Sequence, residues 1–296
     1  MEATLFLGNG INRISKNPLD WRNLLLWLAK NEHVSLRLEK KPYTMIYEEL
    51  VLHSTSKNEY SIKEQIQQQL KEVAISPIYE ELYNFDVKNY ITTNYDFSLE
   101  KVFEENGYKK EFKKQETLYS IRTHVTMSTI DRSVNIWHIH GDIDRIASIA
   151  LGLDQYCGSI GKIDAYLKGN YSYKERGEEK RLQAISTKLK GSASFDSVSW
   201  IELFYNTNIH ILGFGLDFSE IDIWWILNKR QRDLEIKKLP IKNKIYYYDV
   251  SYKQEEQQAK YDLLEGFGVE VIAVDLKDDD WKTATERLLK RMKDKI

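Results

Sequence analysis

The chain has 296 residues, of which 42% are hydrophobic and 12% aromatic, enough for one large domain or two modest ones with a substantial core. Its net charge of −2 gives no general electrostatic basis for binding nucleic acid or an anionic membrane, so we expect neither as a direct partner. The single cysteine, Cys157, excludes an intrachain disulfide and a four-thiolate zinc site, and the lack of a signal-like or membrane-length apolar run favours a cytoplasmic protein.

The first predicted unit is a strand, a glycine turn and a helix. Thr4–Leu7 is a short apolar strand, and Gly8-Asn9-Gly10-Ile11-Asn12-Arg13 follows it. Apolar residues at helical spacing begin again at Trp21. A dinucleotide phosphate loop commonly has this position, but the third glycine of GxGxxG is missing, so an ordinary turn is the alternative.

The second predicted unit follows a helical stretch. Residues 32–81 contain no glycine and carry apolar stripes at helical spacing, which indicates a helical insertion. After it, Tyr90–Thr93 is a β-branched strand that ends in Asn94-Tyr95-Asp96, and a helix is predicted from Phe97. As isolated residues, Asn94 and Asp96 have simpler roles as a turn former and a helix cap.

Two further strands are predicted, near Leu118–Thr123 and at Asn135–His140. Alternation places His138 and His140 on one strand face. Such a pair can bind a metal, but no carboxylate or thiol stands at a convincing third-ligand spacing, so we predict no metal. His140, which precedes a glycine, is instead expected to project into a cleft, with His138 packed or hydrogen-bonded behind it.

Residues 150–200 are the least regular part of the sequence. Six glycines are interleaved with short helical patterns, and Lys174–Lys190 has the composition of an exposed charged helix. We predict a small, mostly helical subdomain over one edge of the sheet.

The third glycine-marked unit begins at Asn208. Its strand breaks at Gly213-Phe214-Gly215, and a helix opened by Asp217 and Ser219 is predicted next. A strand that runs through glycines into a helix N-terminus offers backbone N–H groups and the positive end of the helix dipole to a phosphate. Strands are then predicted at Lys244–Asp249 and Val269–Asp275, and helices at Gln254–Leu264 and Trp281–Lys293.

This alternation predicts an α/β fold, a Rossmann-like, doubly wound and mainly parallel sheet with its site at the carboxyl ends of the strands. We predict a single domain of 296 residues. Its core comprises residues 1–31, 85–149 and 200–296, and its helical insertions comprise residues 32–84 and 150–199.

Four segments, GNGIN (8–12), TTNYD (92–96), HIHGD (138–142) and GFGLDFSEID (213–222), resemble the signature segments of the sirtuin (SIR2) superfamily in order and kind. The resemblance extends from Leu5 to Asp275 and is closest to the prokaryotic SIR2-like proteins of antiphage defence. These include the effectors of Thoeris and of systems that pair a SIR2-like subunit with a HerA ATPase. The chain lacks the four-cysteine zinc module of sirtuin deacetylases, and Thr93 and Asn12 replace a glutamine and a serine of the sirtuin motifs. These departures argue against binding of an acyl-lysine peptide but leave NAD chemistry intact.

The resemblance implies an NAD+ glycohydrolase that depletes NAD during infection. Because nicotinamide leaves as a neutral base, the cleavage needs no general acid, unlike ordinary glycoside hydrolysis. Asn94 would bind the nicotinamide ribose and orient a water, and His140 would act as general base. Asp96 would accept a hydrogen bond from the carboxamide, and Asp249 would contact the adenosine ribose. The remaining predicted NAD-binding residues are Gly8, Asn9, Gly10, Ile11, Asn12, Arg13, Thr93, Tyr95, Gly213, Phe214, Gly215 and Asp217, with the glycines and Asn9 around the diphosphate.

Two other functions fit the same motifs. One is a non-catalytic nucleotide-binding or scaffold subunit for an ATPase partner, and the other is NAD-dependent protein deacylation. The helical insertions are expected to serve self-assembly into a homo-oligomer, or contact with a HerA-type ATPase or another defence-system subunit.

Overall fold

The computed structural model describes residues 1–16, 18–71, 74–113, 118–251, 254–276 and 280–296. Within these residues lie ten β-strands: β1 (Ala3–Leu7), β2 (Asn89–Thr92), β3 (Lys109–Lys113), β4 (His124–Ser128), β5 (Ser133–His138), β6 (Ser172–Glu175), β7 (Glu178–Arg181), β8 (Asn208–Leu212), β9 (Ile245–Ser251) and β10 (Val269–Asp275). They also form eleven α-helices: α1 (Trp21–Asn31), α2 (Tyr43–His53), α3 (Glu59–Lys71), α4 (Ile78–Tyr83), α5 (Ser98–Glu105), α6 (Leu153–Leu167), α7 (Ile185–Leu189), α8 (Leu203–Asn206), α9 (Ile221–Glu235), α10 (Gln254–Gly266) and α11 (Trp281–Lys293).

Eight of these strands form one mixed sheet in the order β10-β9-β8-β1-β2-β5-β4-β3. The six strands from β10 to β5 are parallel, and β4 and β3 extend that sheet as antiparallel strands. The prediction of a Rossmann-like α/β fold with a mainly parallel sheet is therefore confirmed. All eight strands lie within the ranges predicted as the core, and β6 and β7 form a separate hairpin within residues 150–199.

Both faces of the sheet are buried, as expected for parallel strands between helical layers. In β1, Leu5 and Leu7 belong to a core cluster that includes apolar residues of α1–α5 and α11. Phe6 points to the opposite face and belongs to a second cluster that includes residues of α6, α8 and α9. The period-2 alternation of a strand thus connects β1 to two separate cores. This double burial fixes β1 in the centre of the sheet.

Two local predictions are wrong, and two others have shifted bounds. The strand predicted at Leu118–Thr123 is instead irregular, because Tyr119 has φ +50° and the Ser120 hydroxyl accepts a hydrogen bond from the Thr123 N–H over 2.9 Å. The pairing strand begins only at His124. The Asn135–His140 strand starts at Ser133 and ends at His138, so His140 lies in the turn that follows.

The charged helix predicted at Lys174–Lys190 is also wrong. The segment contains part of β6 and all of β7 and α7, and Arg176 and Gly177 connect the two strands with φ +52° and +87°. Two successive residues with positive φ make the tight turn that suits a two-residue hairpin. Charge composition alone does not distinguish an exposed hairpin from an exposed helix.

The helix predicted to open at Asp217 and Ser219 begins at Ile221, with Glu220 as its N-cap residue. Asp217 accepts a hydrogen bond from the Ser219 N–H over 2.8 Å, which closes a local turn before the helix. The Ser219 hydroxyl accepts from the Tyr43 N–H over 2.7 Å, so it joins this turn to α2. No helix in the described part of the chain is both long enough and apolar enough to cross a membrane.

Candidate active site

Four strands, β8, β1, β2 and β5, end in one row at the same edge of the sheet, level with Tyr248 of β9. The parallel register aligns Tyr248, Leu212, Leu7, Thr92 and His138, which belong to β9, β8, β1, β2 and β5. The residues that follow them therefore meet above one edge. The sheet order also reverses beside β1, with β2 and β5 on one side and β8, β9 and β10 on the other. In open α/β sheets such a switch point is the usual position of a ligand crevice.

Three adjoining cavities run along this edge. The central cavity has a volume of about 580 Å³, and an inner and an outer cavity have about 60 Å³ each. Thr93 and Glu220 line both the central and the inner cavity. Arg13 and Trp281 line both the central and the outer cavity. The three spaces therefore form one continuous crevice.

Every predicted site residue except Gly8 lines this crevice. The inner cavity is lined by Asn9, Thr93, Asn94, Tyr95, Asp96 and His140, the central cavity also by Gly10, Asn12, Arg13, Gly213, Phe214, Gly215 and Asp217, and the outer cavity also by Ile11 and Asp249. Residues as far apart in sequence as Asn9 and Asp249 are thus brought to one place.

The two glycine turns are packed directly against each other. The Gly8 N–H donates to the Leu212 carbonyl over 3.0 Å, and the Gly10 N–H donates to the Gly213 carbonyl over 2.6 Å. A Cβ atom on Gly8 would lie 2.5 Å from Phe214 Cα, and one on Gly10 would lie 2.6 Å from the Gly213 carbonyl oxygen. These glycines therefore permit close approach of two backbones. In this conformation, the N–H groups of Gly8 and Gly10 donate to the opposite turn and not into the crevice.

Asn94 is held on three sides in the inner cavity. Its backbone N–H donates to the Thr92 hydroxyl over 3.0 Å, and its side-chain N–H₂ donates to the Tyr79 hydroxyl over 3.1 Å. His138 Nδ1 lies 2.9 Å from the Asn94 carbonyl oxygen. The side-chain oxygen of Asn94 is buried and has no hydrogen-bond partner among the described residues. A buried acceptor that lacks a partner is a natural point of contact for a ligand hydroxyl or water.

The pair formed by His138 and Glu100 lies behind Asn94. His138 Nε2 is 2.6 Å from Glu100 Oε1, and both side chains are almost fully buried. Burial lowers the pKa of His138, but the adjacent Glu100 carboxylate outweighs burial and raises that pKa to about 9. A charged His138 donates at both ring nitrogens, to Glu100 and to the Asn94 backbone. This arrangement agrees with the prediction that His138 hydrogen-bonds behind the site.

His140 lies at the end of the inner cavity between two carboxylates. Its Nε2 is 3.0 Å from Asp222 Oδ2, and its Nδ1 is 3.7 Å from Glu220 Oε2 and 3.5 Å from the Tyr156 hydroxyl. Burial lowers the pKa of His140, but Asp222 and Glu220 together raise it above its ordinary value. The imidazole is therefore favoured in its charged form.

Glu220, Asp222 and Tyr156 are site residues that sequence reasoning missed. Glu220 and Asp222 lie inside the quoted segment GFGLDFSEID, which was the available signal for them. Burial raises the pKa of the Glu220 carboxyl, His140 lowers it and Asp222 raises it. The resulting pKa is about 7. Tyr156, on α6, donates to Glu220 Oε2 over 2.8 Å. Nothing in the local sequence around Tyr156 distinguishes it from a core tyrosine.

His140, Glu220 and Asp222 also form a potential metal-ligand set. One ligand atom from each lies within 4.8 Å of the others, and all three residues are buried. Two carboxylates and an imidazole are a plausible donor set for a divalent transition metal. The same atoms already contact one another as His140–Asp222 and His140–Glu220 pairs. The arrangement thus allows both charge pairing and metal coordination.

The outer cavity is lined by charged and aromatic residues. The guanidinium of Arg13 lies 4.3 Å from the ring centroid of Trp281. Asp249 accepts a hydrogen bond from the Tyr261 hydroxyl over 2.7 Å, and Lys260 Nζ lies 3.8 Å from Asp249. A carboxylate and an arginine at this end can contact ribose hydroxyls and phosphates, respectively.

Comparison with protein families shows that the chain matches a known domain family. Residues 88–272, more than half of the chain, match the family model described as a SIR2-like domain. The matched range contains the Asn94 turn, His140, Glu220 and Asp249, whereas the first glycine turn precedes it. The comparison with curated proteins found no match.

Proposed function

Because the chain belongs to the SIR2-like domain family, whose members generally use NAD+ as a substrate, we propose that it cleaves the nicotinamide–ribose bond of NAD+ by hydrolysis. The observation that carries this proposal is the continuous crevice with Asn94 and His140 at its inner end. Its central part is bordered by the glycine turns and Arg13, and its outer end contains Asp249. This order matches the nicotinamide ribose, diphosphate and adenosine of an extended NAD+.

The inner cavity suits a reaction that develops positive charge on the ribose. With His140 protonated and both Asp222 and Glu220 ionised, the three residues carry one net negative charge, which would stabilise an oxocarbenium-like centre. The buried side-chain oxygen of Asn94 would accept from a ribose hydroxyl or from the attacking water. Fixing the water and the ribose together lowers the entropic cost of the reaction. Asn94 and His140 are therefore the proposed catalytic pair.

Asp96 is the proposed contact for the nicotinamide carboxamide. It lines the inner cavity, and one of its oxygens accepts from the Ser98 N–H over 2.9 Å. That bond holds the carboxylate at the start of α5 and leaves its second oxygen for the ligand. The turn-forming role and the binding role of Asp96 are thus compatible.

The biological consequence that we propose is depletion of NAD during phage infection, with the chain as the effector of an abortive defence system. This role follows from the resemblance to antiphage SIR2-like proteins. Such an effector must be controlled, and a homo-oligomer, a HerA-type ATPase or another defence-system subunit is the proposed controlling partner. The helices of residues 32–84 and 150–199 are the proposed contact surfaces.

The activity is tested by incubating the purified protein with NAD+ and measuring nicotinamide and ADP-ribose by mass spectrometry, with and without its genomic neighbours. We expect release by the wild type and a loss of at least 100-fold in Asn94→Ala and His140→Ala. Asn84→Ala and His53→Ala are matched controls, because both residues are exposed and neither lines the inner or the central cavity. Equal release by Asn94→Ala, His140→Ala and the wild type would refute the catalytic pair.

The same preparation distinguishes the binding-subunit alternative. If NAD+ raises the melting temperature of the protein but no nicotinamide forms, even with all neighbours and phage extract, the chain is a nucleotide-binding subunit. Release of nicotinamide only in the presence of an acyl-lysine peptide would instead indicate a deacylase. In cells, the defence role predicts a fall in NAD after phage challenge that Asn94→Ala abolishes.

A further inference from the structure

Glu220 lines the crevice, whereas Asp222, the other carboxylate beside His140, is not among the lining residues of the inner and central cavities. Glu220 lines both the inner and the central cavity, where the nicotinamide ribose is proposed to bind. Its Oε2 accepts from the Tyr156 hydroxyl over 2.8 Å and faces His140 Nδ1 at 3.7 Å. Its other oxygen, Oε1, accepts no hydrogen bond from the residues that the structure describes. One oxygen is therefore anchored and the other is available to a ligand.

The two ring nitrogens of His140 are less available. Nε2 is bonded to Asp222, which is fully buried, and Nδ1 faces Glu220 and Tyr156. An imidazole that donates to Asp222 and faces a second carboxylate is stabilised as a cation. A cationic imidazole has no lone pair with which to accept a proton. The proton acceptor is therefore better sought in the carboxylate beside it.

We propose that Glu220 is the general base of this site and that its free oxygen takes the proton from the water that attacks the ribose. Tyr156 is the positioning residue that holds the other carboxylate oxygen, and His140 remains the charged catalytic partner beside it. The inference rests on the proposed cleavage of NAD+ and assigns the proton acceptor of that reaction.

The bonds and charges balance as follows. The bond between ribose C1′ and the pyridine nitrogen breaks, and its electron pair goes to the nitrogen, which gives neutral nicotinamide. The water oxygen forms a bond to C1′, and one water O–H bond breaks. The proton passes to the Glu220 carboxylate, which becomes a neutral carboxylic acid and later releases the proton to solvent. The products are nicotinamide, ADP-ribose and one proton.

Several ionisable groups face Glu220. His140 and Tyr156 lie beside its anchored oxygen, and Asp222, Asp217 and Tyr95 are the other groups that act on it. The free oxygen on the crevice side is therefore the one that can contact a water.

The test measures single-turnover nicotinamide release between pH 5 and 9 for the wild type, Glu220→Gln and Glu235→Gln. Glu235 is the matched control because it lies at the exposed end of the same helix. We expect the wild-type rate to rise with pH and then level off, because a carboxylate must be ionised to accept a proton. Glu220→Gln should lose at least 100-fold of the rate and the pH-dependent rise, while it still binds NAD+ in a thermal-shift assay. Glu235→Gln should follow the wild type.

Each result separates this inference from the proposed function. No nicotinamide release by the wild type under any condition would refute the proposed function and the base assignment together. Release that Glu220→Gln retains within threefold, with the wild-type pH profile, would refute the base assignment alone. If Glu220→Gln does not fold, the rate and pH profile of Glu220→Asp are measured instead. A slower rate with the same pH rise supports the base, and an unchanged rate overturns it, because a shortened carboxylate cannot reach the same water.

Discussion

The side-chain amide of Asn94 donates to the hydroxyl of Tyr79 over 3.1 Å, and this one bond sets which end of the amide faces the inner cavity. Tyr79 lies on α4, in the predicted helical insertion, and is almost fully buried. Burial raises the pKa of its hydroxyl well above the ordinary value, so the hydroxyl remains neutral. The insertion therefore supplies a positioning residue for the proposed catalytic asparagine.

Tyr79→Phe should slow nicotinamide release by 10-fold or more with a smaller change in KM. The change removes the acceptor of the Asn94 amide, and an unsatisfied buried donor costs about 1–3 kcal/mol, so the amide can turn its oxygen away from the ligand. Tyr83→Phe, on the same helix, is the matched control. A Tyr79→Phe protein that loses thermal stability but keeps the wild-type kcat would show that Tyr79 serves packing only.

The pair of His138 and Glu100 predicts a specific dependence of stability on pH. The pKa of His138 is raised from 6.5 to about 9 in the folded protein, so its contribution is fully present below pH 6.5 and is lost as the pH rises towards 9. The shift corresponds to an upper limit of about 3 kcal/mol, at 1.36 kcal/mol per pKa unit. Urea unfolding at pH 6 and pH 9 measures it. The wild-type unfolding free energy should decrease from pH 6 to pH 9, and this decrease should be smaller in Glu100→Gln. An equal decrease in both proteins would show that the His138–Glu100 pair does not cause the pH dependence.

Much of the fold could be predicted from local patterns, for reasons visible in particular elements. The helix at Trp281–Lys293 and the strand at Val269–Asp275 were predicted with their observed bounds. Both have clear periodicity, and Asp280 accepts from the Thr283 N–H at the helix start. By contrast, the strands of the hairpin around Arg176 and Gly177 consist mostly of exposed charged residues, so they lack the apolar alternation that identifies a strand.

The sequence revealed a proposed site residue only where that residue lies inside a recognisable motif. Asn94 and His140 stand inside short segments whose order resembles a known family, and they line the same cavity. The surroundings of His140 were not predictable, because Glu220 and Asp222 lie about eighty residues further along the chain. Periodicity places a residue on a face of its own element but does not indicate which distant carboxylate meets it. Sequence spacing for the same reason did not reveal that two carboxylates lie beside His140.

Close packing of the two glycine turns predicts that Gly10→Ala destabilises the protein. The added Cβ would lie 2.6 Å from the Gly213 carbonyl oxygen, which is backbone and cannot move aside cheaply. We expect a loss of about 1–3 kcal/mol of unfolding free energy, typical of overpacking, and weaker NAD+ binding. Gly161→Ala is the control, because nothing lies within 4 Å of its Cβ position on α6, and it should stabilise the helix by up to about 1 kcal/mol. Equal effects of the two changes in urea unfolding would contradict this account.

Removal of divalent metal should leave the cleavage rate unchanged. The ligand atoms of His140 and Asp222 are 3.0 Å apart and already paired, and Glu220 Oε2 accepts from Tyr156, so each of these atoms has a partner within the protein. The protein is dialysed against EDTA, and nicotinamide release and melting temperature are compared before and after. A loss of rate that Mn²⁺ or Zn²⁺ restores would assign His140, Glu220 and Asp222 to a metal site instead.

Asp249 predicts how the outer cavity contributes to substrate choice. It lies in β9 at the outer end of the crevice, where the Tyr261 hydroxyl donates to it over 2.7 Å and orients the carboxylate. If this end holds the adenosine ribose, Asp249→Asn should raise KM for NAD+ about 10-fold or more with little change in kcat, because the carboxylate contacts a part of the substrate that does not react. Nicotinamide mononucleotide, which has the reacting bond but no adenosine, should be cleaved by the variant and the wild type with equal kcat/KM. An equal loss for both substrates would mean that Asp249 supports the site as a whole, since only a direct contact with the adenosine half can distinguish them.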